Sequence, residues 1–108
     1  MQLKMIRQVF KACGDDTRLR IINFLKGSEQ TVKGICDTLQ ITQTTASKHL
    51  AKLRLLRMVK DARVGNLVYY TLNTNKHMPQ GKIINFIVSN FKDVRAFKDD
   101  RNRSVKTA

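Results

Sequence analysis

The stretch TQTTASKHLAKLRLLRMV, Thr42 to Val59, decides the fold. Started as a helix just after Thr42, it places Ala46, Leu50 and Leu53 on one face at helical spacing, with Arg57 extending that line. Thr44, Ser47, Lys48 and Ala51 fall on the opposite face. Thr42 suits the N-cap, because its hydroxyl accepts a first-turn N–H that has no partner within the helix. The outer face is small, polar and basic, and carries no carboxylate. A helix that enters a DNA groove needs short side chains, groups that hydrogen-bond to base edges and phosphates, and no negative charge. The pattern therefore predicts a recognition helix, with the rest of the chain holding it in place. Leu55 points away from the core face, and nothing in the pattern explains it.

Upstream, Thr31 caps a helix in which Val32, Ile35, Cys36 and Leu39 recur at i, i+3, i+4 and i+7. Only Gln40 and Ile41 separate it from Thr42, so residues 31–57 read as a helix-turn-helix whose turn lacks the common glycine. Ser28 to Gln30 reads as a polar connection. Before it, Asp15 or Asp16 caps a helix with core contacts at Leu19, Ile22 and Leu25, and Gly27 suits its end. Leu3, Ile6, Val9, Phe10 and Cys13 form one apolar stripe, which predicts a short helix over 3–13 ended by Gly14.

Downstream, Val59–Arg63 and Leu67–Leu72 are β-prone runs joined by Val64-Gly65-Asn66, a hairpin wing within 58–72. Lys60, Arg63 and Asn66 can place donors on a neighbouring backbone or in a minor groove; the bland alternative is a solvent-facing hairpin. Pro79 suits the first turn of a last helix over 79–98. Its apolar positions, among them Ile83, Ile87, Phe91 and Val94, cover roughly 200° of the circumference, twice what one core face needs. The excess predicts a homodimer through the first and last helices, with Leu3, Ile6, Phe10, Ile83, Ile87, Phe91 and Val94 at the interface. The expected architecture is mostly α with a small β-hairpin, in the order ααααββα. A single domain spans 1–98, and 99–108 is a basic flexible tail.

Of the 108 residues, 21 are Lys or Arg and 8 are Asp or Glu, a formal net charge of +13. That excess favours a polyanionic partner, nucleic acid or an anionic membrane surface, over a merely solvated face. No apolar run approaches a membrane span and no signal-peptide pattern opens the chain, so a cytoplasmic location is expected. Cys13 and Cys36 make no disulfide framework. There is no nucleophile–base pairing, no phosphate-cradling glycine loop and no carboxylate cluster, so an enzyme is not expected.

With the motifs KACGDDTRLRIINFL, TQTTASKHLAKLR and VGNLVYYTL in this order, the chain resembles the ArsR/SmtB family of winged helix-turn-helix repressors. The resemblance runs from about Phe10 to Leu72. It implies a dimeric, sequence-specific regulator that binds double-stranded DNA and is released by an inducer, whose identity the residues leave open. By that pattern Gln43, Thr44, Ser47 and Lys48 touch DNA, with the wing tip Arg63, Gly65 and Asn66. His49 follows the pattern too; its intermediate wheel position favours packing or a phosphate contact over base readout.

Three departures stand out. Thr31 and Lys33 occupy positions where many members carry a cysteine pair, and a protonated Lys amine is no metal ligand. The last helix has no His and a single carboxylate, Asp93, so neither a metal site nor a cofactor is expected. Arg57 stands where the family often has Gly. Cys36 matches one of two reactive cysteines in a sulfur- and redox-responsive branch, whose second cysteine on the last helix is missing here. Cys13 substitutes only if the first helix brings it close, so a thiol-responsive repressor is one alternative and two buried inert thiols the blander one. A non-specific nucleic-acid-coating protein and a module binding an acidic protein are the others.

Overall fold

The structure, a computed structural model, describes residues 1–107, with side chains described to residue 104; position 108 of the expected tail lies outside the described residues. The elements are α1 (Leu3–Cys13), α2 (Asp16–Phe24), β1 (Gln30–Thr31), α3 (Val32–Leu39), α4 (Gln43–Leu55), β2 (Val59–Val64), β3 (Leu67–Leu72), α5 (Pro79–Asn90) and α6 (Arg95–Thr107). The fold is a mostly helical winged helix-turn-helix with a small antiparallel sheet.

Helix starts follow the capping chemistry. Asp15 accepts from the Arg18 N–H at 3.0 Å, Thr31 from Gly34 at 3.1 Å and Thr42 from Thr45 at 3.2 Å. Those contacts open α2, α3 and α4. Two helix ends are less ordinary. Gln40 takes the left-handed conformation (φ 58°) after α3, and Ile41 donates to the Cys36 carbonyl. Arg57 does the same after α4 (φ 61°), with Met58 donating to Leu53 and Arg57 to Arg54. The α4 end shows both hydrogen bonds of a Schellman turn and the α3 end the outer one, each without the usual glycine. The reversal also takes Arg57 off the apolar line: Arg57 is exposed and Leu56 is buried in its place.

The core joins Val9 and Ala12 of α1, Ile21, Ile22 and Leu25, Ile35 and Leu39, Ala46, Leu50 and Leu53, Met58 and Val59, and Ile84. Leu19 only packs against its edge. The polar connection before α3 contains a strand: β1 pairs with β3, Gln30 opposite Tyr70 and Thr31 opposite Tyr69. The sheet order is β1-β3-β2, so the wing is anchored at its base to the segment that opens α3.

The C-terminal region differs most from expectation. In place of one helix over 79–98 and a frayed tail, α5 stops at Asn90 and α6 begins at Arg95. The Asn90 side chain donates to the Phe86 carbonyl at 2.7 Å, offering the backbone an alternative to the next helical bond. The break divides the apolar excess. Ile84, Ile87, Val88 and Phe97 turn inward, while Phe86, Phe91 and Val94 stay exposed. Helix α6 returns over α2 and α3 and buries the Asp100 carboxylate against Arg20 and Arg103. Among the described residues, no helix is long and apolar enough to cross a membrane.

Candidate nucleic-acid interface

Helix α4 buries Ala46, Leu50 and Leu53 and turns Gln43, Thr44, Ser47, Lys48 and Ala51 to the outside. The outward face has no acid, and Arg54 at its far end pairs with Asp61 of β2 at 3.4 Å. The carbonyls just past its C-terminal end are held by buried amides from other elements. Asn73 Nδ2 donates to the Arg57 carbonyl at 2.8 Å, and Gln80 Nε2 to the Leu56 carbonyl at 3.2 Å. Thus the loop before α5 and the first turn of α5 set the helix-to-wing corner.

The wing projects Lys60, Arg63, Gly65 and Asn66 into solvent. Val64 pairs with Leu67, leaving a two-residue loop in which only Gly65 has positive φ, at 62°. That is the pattern of a hairpin turn with glycine at its first central position. Val64 and Leu67 are exposed apolar groups beside this tip.

His49 does not join the outward face: it is buried, which corrects its placement among the DNA-contacting residues. Arg18 Nη1 donates to its Nδ1 at 3.1 Å, while Arg18 Nε donates to the Ala12 carbonyl at the end of α1 at 2.9 Å. Since a guanidinium only donates, the neutral imidazole carries its proton on Nε2. One arginine therefore ties the end of α1 to the recognition helix. Arg18 was not singled out in the sequence because these partners lie on two other helices, α1 and α4.

Burial lowers the His49 pKa; Asp15 opposes the effect and the Arg18 and Lys48 charges reinforce it. The unfolded chain then takes up the proton first on acidification, near the ordinary pKa of about 6.5. The stability contributed by neutral His49 is complete above that value and is lost as pH falls through the lower folded value. The wild-type urea midpoint should fall between about pH 7.5 and 5.5, and that of His49→Gln should fall by less. Equal falls would assign the acid sensitivity to other groups.

On the side of α1 and α5, Leu3, Ile6, Phe10, Phe91 and Val94 are exposed. Ile83 is half-buried, and Ile87 belongs to the protomer's own core, which corrects its place in an apolar outer face. Phe86, not among the interface residues expected from the sequence, is exposed and meets Phe91 edge-on with ring centroids 5.8 Å apart. An apolar groove of 530 Å³ lined by Leu19, Ile87, Phe91, Val94 and Phe97 adjoins them, with Cys13 at its wall.

Cys13 and Cys36 are half-buried free thiols, and burial raises the pKa of both, with Asp37 adding to the effect at Cys36. At the start of α3 the Thr31 hydroxyl is occupied as a cap, and Lys33 pairs with Asp37 at 2.6 Å, which holds its amine protonated.

The family model for bacterial regulatory proteins of the arsR family matches residues 15–61. The chain is 38% identical over 69 residues to the transcriptional repressor SdpR of Bacillus subtilis, covering 64% of this chain and 77% of SdpR. It is 32% identical over 79 residues to the transcriptional regulator KmtR of Mycobacterium tuberculosis, covering 73% of this chain and 60% of KmtR. Among solved structures, HlyU from Vibrio cholerae superposes with a TM-score of 0.68 at 26% identity, over 81% of this chain and 94% of HlyU. A homodimeric winged helix-turn-helix DNA-binding domain from Mycobacterium bovis gives 0.69 at 26% identity, over 79% of this chain and 76% of that one. With the family model matched and 38% identity over 77% of SdpR, the chain belongs to the arsR family of bacterial regulatory proteins.

Proposed function

We propose that the protein is a cytoplasmic, dimeric repressor that reads an inverted-repeat operator, and neither an enzyme nor a metal sensor. The observation that carries this reading is the outward face of α4, where Gln43, Thr44, Ser47 and Lys48 are exposed without a neighbouring acid. Gln43 at the N-terminal end and Ser47 one turn on read base edges; Lys48 and the wing residues Arg63 and Asn66 hold phosphates. The exposed apolar side chains of α1 and the α5–α6 junction cover one another in the dimer, and the homodimeric Mycobacterium bovis domain supports that arrangement. The repressor role is drawn by analogy with SdpR.

Against metal sensing stands the chemistry at Thr31 and Lys33, a capping hydroxyl and an ion-paired ammonium. The raised thiol pKa values disfavour thiolates at Cys13 and Cys36, and so disfavour the thiol-responsive alternative.

Selection from random duplexes at about 150 mM salt should enrich an inverted repeat with half-sites about one helical turn, roughly 34 Å, apart. Binding without enrichment would mark a coating protein, and no binding would direct the search to an acidic protein partner. On the selected site, Lys48→Ala should weaken binding to all sequences about equally and reduce the salt slope by about 1. Gln43→Ala should instead relax preference at one base pair. A changed base preference for Lys48→Ala with an intact salt slope would reverse these roles.

A further inference from the structure

Away from α4 and the wing, the end of α2, strand β1, the α5–α6 break and helix α6 border an open concavity of 480 Å³. Three cations line it: Lys26, Lys92 and Arg101. Two are held from behind by backbone. Lys26 Nζ donates to the Val88 carbonyl at 3.2 Å, and Arg101 Nη2 to the Lys92 carbonyl at 2.7 Å. Among the described residues, none of the three lies within ion-pair distance of a carboxylate. Their charge is therefore positioned but not neutralised, and each head group has further donors to offer. Asp93 is the single acid in the lining, outnumbered three to one. Asn23, Phe24, Ser28, Gln30 and Ser104 also line the concavity. The volume lies within the roughly 300–1,000 Å³ usual for small-molecule sites.

We propose that this concavity binds a small phosphorylated metabolite, its phosphate on Lys26, Lys92 and Arg101 and a hydroxyl of the same molecule on Asp93. A phosphate dianion accepts several charge-assisted hydrogen bonds at once, which suits a concavity lined by three cations. Asp93 repels a bare anion and favours one that brings a hydroxyl donor alongside. Gln30 pairs with Tyr70 of the wing sheet, Lys92 lies in the helix break and Arg101 lies within α6, so the occupant bridges the wing base and the C-terminal helices. The site rests on the concavity and its charges, not on the DNA-binding reading.

The full chain should be titrated calorimetrically with glycerol 3-phosphate, and with inorganic sulfate as the hydroxyl-free control, at constant ionic strength. Saturable binding of one glycerol 3-phosphate per chain, tighter than sulfate, is expected. Lys92→Gln, which forfeits no side-chain hydrogen bond, should weaken it about tenfold, the loss of one charge-assisted bond. Lys48→Gln on the recognition helix should leave it unchanged. Non-saturable heats, equal affinity for sulfate, or equal losses in the two variants would overturn the proposal. Duplex backbone is the other source of phosphate. If Lys92→Gln weakened duplex binding as much as Lys48→Gln does, the concavity would be a DNA contact and the metabolite reading would fail.

Discussion

Gly81→Ala should destabilise the protein by about 3 kcal/mol, the upper part of the range for overpacking a close contact. Helix propensity alone predicts the opposite, since Ala is favoured over Gly in a helix by about 1 kcal/mol. Sterics decide the sign. A Cβ on Gly81 would lie 1.9 Å from the Asn75 carbonyl oxygen, 2.5 Å from its carbon and 2.7 Å from its nitrogen. These are backbone atoms, and the segment is tied in place. The Asn75 N–H donates to Asn73 Oδ1, its carbonyl accepts from Met78, and its side chain accepts from the His77 N–H. Relief therefore requires the loop to move away from the first turn of α5. That loop and that turn supply Asn73 and Gln80, the amides on the carbonyls just past the recognition helix. A Tm lowered by about 10–20 °C is expected at fixed protein concentration, with operator affinity reduced in the protein that remains folded. An unchanged or raised Tm would show that the loop yields freely.

The recognition helix was legible because three local signals agree: a Thr42 cap, an apolar line at Ala46, Leu50 and Leu53, and an acid-free outer face. The wing was legible through its β-prone runs and Gly65-Asn66. Strand β1 was not, since two residues show no alternation and their partners Tyr69 and Tyr70 lie about forty residues on. The α5–α6 break was hidden for a different reason. Phe91 and Val94 continue the apolar spacing through the break, and periodicity cannot tell a continuous helix from two that share a pattern. His49 sat at an intermediate wheel angle, where a helical wheel does not separate buried from exposed; the guanidinium that receives it comes from α2. Strand β1 and His49 escaped sequence reading because each depends on a partner distant in the chain.

Helix α6 makes that dependence measurable. Its charged composition reads as a solvated tail, yet Asp100 is 2% exposed and is the anchor of the helix. Arg20 reaches its carboxylate with Nε at 3.0 Å and Nη2 at 2.8 Å, and Arg103 binds the same group. The two arginines also cap the first helix of the helix-turn-helix: Arg20 donates to the Leu39 carbonyl and Arg103 to the Thr38 carbonyl, each at 2.7 Å. Asp100→Ala removes the carboxylate that both partly buried cations share. Removing one partner of a buried pair costs about 3–5 kcal/mol, and the partial exposure of both arginines places the expected loss at about 2–3 kcal/mol. Asp100→Asn should recover part of it, because its carbonyl oxygen still accepts one hydrogen bond. Urea denaturation should resolve the order wild type, Asn, Ala, and hydrogen exchange should show α6 and the end of α3 opening together. Exchange confined to α6 would separate the latch from the helix-turn-helix. If Ala were as stable as wild type, the ion pairs would contribute nothing beyond their own desolvation, and the burial of Phe97 with the Arg103–Thr38 hydrogen bond would suffice to hold α6 in place.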